Sequence, residues 1–283
     1  MRATGLSSRL SASLEILARL GYGARGFVYL SVGSLALLTA LQNRGAPSGS
    51  TGAIAAISQW PLGRFWMVAM AVGLTCFSVW RALQSLLDAD RQGGSRKALL
   101  ARAGQAISAM VYGTLAWSTF RLLPLLRQVS PPEEEASAHA GAAHLLAWPY
   151  GGWLLIGVGL FVSGGGVANV VRAVHGDVGD RLVCGPATHL WASWLGRVGY
   201  LGRGVAFLPL GFFLCQAGST LDAHDARSLG GALQWLQDQL PGGWILAFTA
   251  LGLIAFGVYG FIEAWLRRID VDVAKHRTQR AHP

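Results

Sequence analysis

Two arginines, one glutamate and two tyrosines are the residues of this chain whose type and setting could do chemistry. Arg25 and Arg203 each lie inside a long apolar stretch, four residues after a glycine, Gly21 or Gly199. A charge in the bilayer core is costly, so an ionisable group there is by default a functional candidate. At 1.5 Å per residue the two arginines sit about 6 Å along a helix from those glycines. That is near enough to one end for long side chains to snorkel toward headgroups. Two chemistries follow: anchoring with helix pairing, or recognition of an anionic ligand or lipid. Glu263 is the only acid inside the last apolar run, near the same end. A pair with Arg25 or Arg203 would relieve both burial costs; a proton relay is the other use of such an acid. Tyr22 and Tyr200 stand three residues before the two arginines. They read as interfacial aromatics, with a hydroxyl contact to a ligand as the alternative.

Other constellations are weaker. His139 and His144 stand near Glu133, Glu134 and Glu135, but their spacing of five is not the i, i+4 pair of a helical zinc site. The segment PPEEEASAHAG around them reads as a flexible loop. Cys76, Cys184 and Cys215 are odd in number and give neither a disulfide framework nor zinc spacing. Glycines 157, 159, 164, 165 and 166 share one apolar run. They suit close helix packing or a bendable helix; the run lacks the Lys-Ser/Thr ending of a phosphate loop. No G-x-S-x-G elbow or H-E-x-x-H occurs. The expectation is a chain that is not an enzyme, with no catalytic residue, metal or cofactor.

The elements that must position these residues are membrane helices. Of 283 residues, 52% are hydrophobic and 13% charged, against about 25% charged in soluble domains. Six stretches reach the roughly 20 residues that a spanning helix needs. They run from Leu20 to Leu41, Gly63 to Leu87, Gly104 to Leu126, Gly151 to Val174, Gly199 to Gly218 and Gly243 to Leu266. Before the first, Leu10, Leu14 and Leu17 recur at helical spacing with Leu20, predicting an amphipathic helix on the membrane surface. Pro209 predicts a kink in the fifth span. All Lys and Arg except Arg44, Arg64, Arg121, Arg127 and Arg227 fall on the side of the two termini. That bias predicts cytoplasmic termini in a bacterial plasma membrane. The net charge of +9 then points to anionic lipid headgroups at the cytoplasmic face. It does not point to nucleic acid, for which no reader motif is present.

The chain is also repetitive. ARLGYGARGFVYLSVG from Ala18, ARAGQAISAMVYGTLA from Ala101 and GRVGYLGRGVAFLPLG from Gly196 align. In that register Arg19, Arg102 and Arg197 match. Tyr22 matches Gln105 and Tyr200, Arg25 matches Ser108 and Arg203, and Tyr29 matches Tyr112 and Phe207. A second shared element, a Gly-Ala pair followed by a short mixed segment and a proline, recurs from Gly52, Gly141 and Gly231. Trp60, Trp148 and Trp235 in these segments suit the headgroup level. The resulting expectation is an all-α polytopic membrane protein of six helices in three tandem two-helix repeats with a pseudo-threefold relation. The repeats are residues 1–92, 93–182 and 183–270, followed by a tail over 271–283. Parallel copies of this kind are related about the membrane normal, as a ring or as a compact bundle. The middle copy is the divergent one, lacking the tyrosine and the second arginine.

The R-x-G-Y-x-x-R-G opening of copies one and three, the Gly-Ala to proline hairpin, and the final AFGVYGFIEAWLRRI from Ala255 resemble the bacterial membrane family catalogued as domain of unknown function 1206. The resemblance runs from about Ser11 to Ile269 and implies three paired-helix units, with no established activity, substrate or cofactor. Two functions fit the residues. One is a non-enzymatic membrane component that acts through lipids or protein partners. The other is a small-solute transporter or channel built from three parallel repeats.

Overall fold

The computed structural model describes residues 2–42, 47–57, 61–87, 95–123, 134–176, 178–179, 182, 185–239 and 242–267. Trp60, Glu133, Cys184, the loop arginines 44, 91, 127 and 181, and everything from 268 onward lie outside the described residues. The chain is helical, with no strand among the described residues. The elements are α1 (Arg2–Gln42), α2 (Ser50–Ile57), α3 (Gly63–Leu87), α4 (Arg96–Leu122), α5 (Glu134–Leu146), α6 (Gly151–His175), α7 (Pro186–Thr220), α8 (Leu229–Asp238) and α9 (Gly242–Leu266). Lipid offers no hydrogen bonds to a backbone, so runs this apolar satisfy their own polar groups as helices.

Five helices are long and apolar enough to cross a membrane: those over Ser13–Gln42, Gly63–Leu86, Gly151–His175, Thr188–Thr220 and Gly243–Leu266. The third expected span does not reach that hydropathy. Its helix, α4, has the length at 27 residues, but carries Arg96, Lys97, Arg102 and Arg121 with Gln105, Ser108, Ser118 and Thr119. The surface amphipathic helix expected before Leu20 is not a separate element. It continues without a break into the 41-residue α1. Likewise α7 runs unbroken through Pro209. The segment expected as a flexible loop begins a helix at Glu134, where two acids in the first turn complement the helix dipole.

The six long helices pack in a closed order of neighbours with one weak seam. Within the first repeat α1 packs on α3, and within the third α7 packs on α9. Between repeats, α3 packs on α4, α6 on α7 and α9 on α1, so the second helix of each pair leans on the first helix of the next. The pair missing from this pattern is α4 with α6, the two helices of the middle repeat.

Arginines matched in sequence fasten two of the inter-repeat joints. Arg19 donates to the carbonyls of Ala264 and Trp265 at the end of α9, at 2.7 and 2.6 Å. Arg102 donates to those of Ser85 and Leu86 at the end of α3, at 2.7 and 3.3 Å. Both satisfy carbonyls that a helix terminus leaves open, where a cation is also favoured by the dipole.

The short helices α2, α5 and α8 sit at the other end, each linking the two long helices of one repeat. Glu134 accepts hydrogen bonds from the backbone of Gly49 (2.7 Å) and Thr51 (3.0 Å) at the start of α2. Glu135 accepts from the backbone and hydroxyl of Ser228, the N-cap of α8, at 3.0 and 3.2 Å. The middle repeat thus clasps the other two through adjacent carboxylates at two helix N-termini.

Candidate functional site

The long helices enclose a cavity of about 680 Å³. Its wall takes Arg25 and Tyr29 from α1, Arg81 from α3, Gln105, Ser108 and Tyr112 from α4, and Asn169 and Arg172 from α6. Tyr200, Arg203 and Phe207 come from α7, and Tyr259, Glu263 and Arg267 from the end of α9. The matched triplets Arg25/Ser108/Arg203 and Tyr29/Tyr112/Phe207 therefore all face one space. Tyr112 donates to Tyr29 across it at 3.4 Å.

Arg25 is 2% exposed. It does not snorkel, because its charge is compensated inside. Its guanidinium bonds to the Glu263 carboxylate, which Arg267 also reaches at 2.6 Å from one helical turn away. Sequence offered Glu263 two partners, Arg25 and Arg203; the structure selects Arg25 and adds Arg267. Aromatic faces complete the setting. Arg25 lies 5.2, 5.3 and 4.9 Å from the ring centres of Tyr22, Phe77 and Phe256, and such contacts strengthen when water is excluded.

Arg203 is held differently. It stands over Tyr29, Phe207 and Phe256 at 5.3, 4.7 and 4.9 Å. No carboxylate lies within salt-bridge reach of it among the described residues, and its buried Nε has no hydrogen-bond partner. Arg81, over Phe77 at 5.1 Å, also has an unsatisfied buried Nε. Arg172 donates to the Tyr200 hydroxyl at 3.5 Å and has no carboxylate partner among the described residues.

The two tyrosines part company, though both are buried in the protein. Tyr22 is fully buried. Its hydroxyl accepts from Trp80 at 3.3 Å, and its ring backs Arg25 and Arg267, so it supports the cluster without facing the cavity. Tyr200 is buried to 8% exposure and does face the cavity. Sequence reasoning placed Arg81, Arg172 and Arg267 among the flanking charges that set orientation. The one signal for any of them was the i, i+4 spacing of Glu263 and Arg267, at which helical side chains meet.

The result is a pocket lined, among the described residues, by five arginines and one glutamate, and floored by aromatic rings. A buried guanidinium without a counter-ion is expensive. Arginine's planar fork of donors matches phosphate and carboxylate oxygens. The geometry suits capture of an anion. It offers no nucleophile paired with a base. His139, at the clasp end, meets the ring of His224 at 5.1 Å, and no cluster of three or more metal-binding side chains occurs among the described residues.

The five glycines of α6 from Gly157 to Gly166 divide by role. Added Cβ atoms at Gly159 and Gly166 would meet α7 at 2.6 and 3.2 Å, whereas at Gly157, Gly164 and Gly165 they would meet nothing within 4 Å. Packing accounts for the first two only.

A family model described as Domain of Unknown Function (DUF1206) matches residues 20–88, 103–176 and 198–267. The chain is 31% identical over 254 residues to "Uncharacterized protein YxxB" of Bacillus subtilis (strain 168), an alignment covering 87% of this chain and 88% of that protein. No solved structure matches it.

Proposed function

The chain belongs to the DUF1206 family, and from that premise we propose that it is a non-enzymatic plasma-membrane protein that binds an anionic ligand in the arginine-lined cavity. In this reading α4 is a sixth span. Its length of about 40 Å at 1.5 Å per residue is sufficient, and Gln105 and Ser108 in its middle face the cavity. The three repeats then form a pseudo-threefold ring, supported by the repeated packing of each second helix on the next repeat's first. Both termini and the Arg25–Glu263–Arg267 cluster lie toward the cytoplasm, on the strength of the Lys and Arg bias.

One observation carries the ligand: Arg81, Arg172 and Arg203 face the cavity with no carboxylate partner among the described residues. An anion would satisfy them, and phosphate oxygens are the best geometric match. The test is a thermal melt of the detergent-purified protein, titrated with inorganic phosphate against chloride at equal ionic strength. Phosphate should raise the midpoint, because a ligand that binds only the folded state stabilises it by mass action. Arg203→Ala should melt at the wild-type temperature or above without phosphate and lose most of the rise. Equal midpoints in phosphate and chloride would dispose of the proposal.

A second reading, passage of a small anionic solute, draws on the extent of the cavity. Its wall includes Ser50 and Leu229, the first residues of α2 and α8 at the clasp end, as well as Arg267 at the opposite end. Phosphate-dependent uptake into proteoliposomes, abolished by Arg203→Ala, would favour transport over static binding.

A further inference from the structure

The cavity has a side door. Every residue of its wall that is exposed (Ala101, Val111, Ala168 and Arg172) belongs to α4 or α6. The wall residues from α1 and α9 are buried or half-buried. Gly21 and Gly199, within the first helices of repeats one and three, lie where an added Cβ would come within 2.7 and 2.6 Å of the Cα of Phe77 and Phe256 in the partner helix. Gly104, their counterpart, would meet only the ring tip of Phe161, at 3.6 Å. The middle pair is therefore splayed, and the slot between Ala101 and Val111 extends about 15 Å along the helix. Lipid is what faces this slot in a membrane.

We infer that an anionic phospholipid enters sideways between α4 and α6, with its phosphate drawn past Arg172 to Arg203 and Arg81 and an acyl chain left in the slot. This deepens the anion-binding reading above and rests on it. The charge balance selects the headgroup: a zwitterionic lipid brings a cation into a space that, among the described residues, already holds five arginines against one glutamate. The slot selects a lipid over a free anion. Val111 and Leu115 on α4 and Phe161 and Val162 on α6 give the cavity an apolar flank, which inorganic phosphate has no use for and a hydrocarbon chain does. Gly165 lines the cavity and has open space at its Cβ position, so the slot is not filled by the protein itself.

Gly165→Trp closes the slot, while Gly164→Trp has equal room but lies outside the cavity wall. Native mass spectrometry would measure phosphatidylglycerol and phosphatidylcholine retained by each protein from mixed micelles, with the phosphate melt run in parallel. The expected result is preference for phosphatidylglycerol in wild type and Gly164→Trp, and at least a tenfold loss of it in Gly165→Trp. Ala168→Trp is the second plug should Gly165→Trp fail to fold. Unreduced phosphatidylglycerol retention in a folded plug variant would overturn the side door. A phosphate response in wild type without phosphatidylglycerol retention, or with equal retention of phosphatidylcholine, would overturn the lipid and leave a soluble anion. No response to phosphate and no retained lipid would overturn the underlying anion-binding reading instead.

Discussion

The first and third repeats differ from the second in how their two long helices meet. In the outer repeats a glycine lets the partner backbone close to contact distance, a tyrosine packs beside it, and an arginine one turn on is seated on aromatic rings. In the middle repeat the glycine is kept as Gly104, but Gln105 and Ser108 replace the tyrosine and arginine and the helices stand apart. The same unit thus makes two closed walls and one loose one. The middle repeat supplies both the exposed edge of the cavity, through α4 and α6, and the clasp that holds the other two repeats at the far end, through Glu134 and Glu135 of α5.

The largest expected effect strikes the joint between repeats three and one. Glu263→Ala strands Arg25 and Arg267 and should cost about 3–5 kcal/mol, read as a fall in melting midpoint or loss of folded protein in detergent. Arg203→Ala removes a guanidinium that has no carboxylate partner among the described residues and should leave the midpoint at or above that of wild type. Equal losses would mean that the two arginines are not in different settings.

Next, Gly21→Ala and Gly199→Ala force a methyl against a helix backbone and should each cost about 1–3 kcal/mol. Gly104→Ala, with ordinary contact distance to Phe161, should lie within about 0.5 kcal/mol of wild type. Thermal melts of the three variants would sharpen the contrast between closed and splayed pairs, and a large loss at Gly104 would break it.

The clasp comes third. Burial, opposed by the Thr51 and Gly49 N–H donors and reinforced by neighbouring Glu135, holds the Glu134 carboxyl above the ordinary carboxylate range. The folded chain then keeps this proton at a pH where the unfolded chain, titrating near about 4.3, has lost it. Its contribution to stability is fully present below that pH and falls as pH rises through the raised folded value. Glu134→Gln, uncharged and still an acceptor, should flatten that slope and cost less than Glu134→Ala, which should lose about 1 kcal/mol with the capping bonds. Melting midpoints between pH 4 and 8, on the order of the range about these values, would show it.

The smallest effect tests what repeats one and two share. Leu62 and Tyr150, each following the hairpin proline, adopt left-handed backbone at φ 60° and 64°, a conformation costing a non-glycine residue about 1–2 kcal/mol. Leu62→Gly recovers part of this against glycine's own entropy cost. It should raise the midpoint slightly; a clear fall would show that the Leu62 side chain matters more than its backbone.

Much of this architecture was legible in the residues. Apolar length gave the long helices, the repeated R-x-G-Y-x-x-R-G gave the units, and the lone acid of the last apolar run gave Glu263 a cationic partner. Three things were hidden for physical reasons. The hydropathy of α4 is lowered by its basic residues, Arg96, Lys97, Arg102 and Arg121, and by Gln105 and Ser108, and only the last two line the cavity, which sequence does not reveal. Arg81 and Arg172 sit near helix ends, where sequence cannot separate a headgroup anchor from a side chain turned inward. The separation of α4 from α6 depends on tertiary packing, and Gly104 looks like Gly21 and Gly199 in the sequence. The helix at Glu134 was readable in principle, since acids after prolines suit a helix start.

A density map of the protein in phosphatidylglycerol nanodiscs would test the central claim most directly. The account predicts a phosphate within hydrogen-bonding distance of Arg203 or Arg81 and an acyl chain emerging between α4 and α6. A map with α4 packed against α6 as tightly as α1 is against α3, and the arginines neutralised by protein carboxylates, would contradict it.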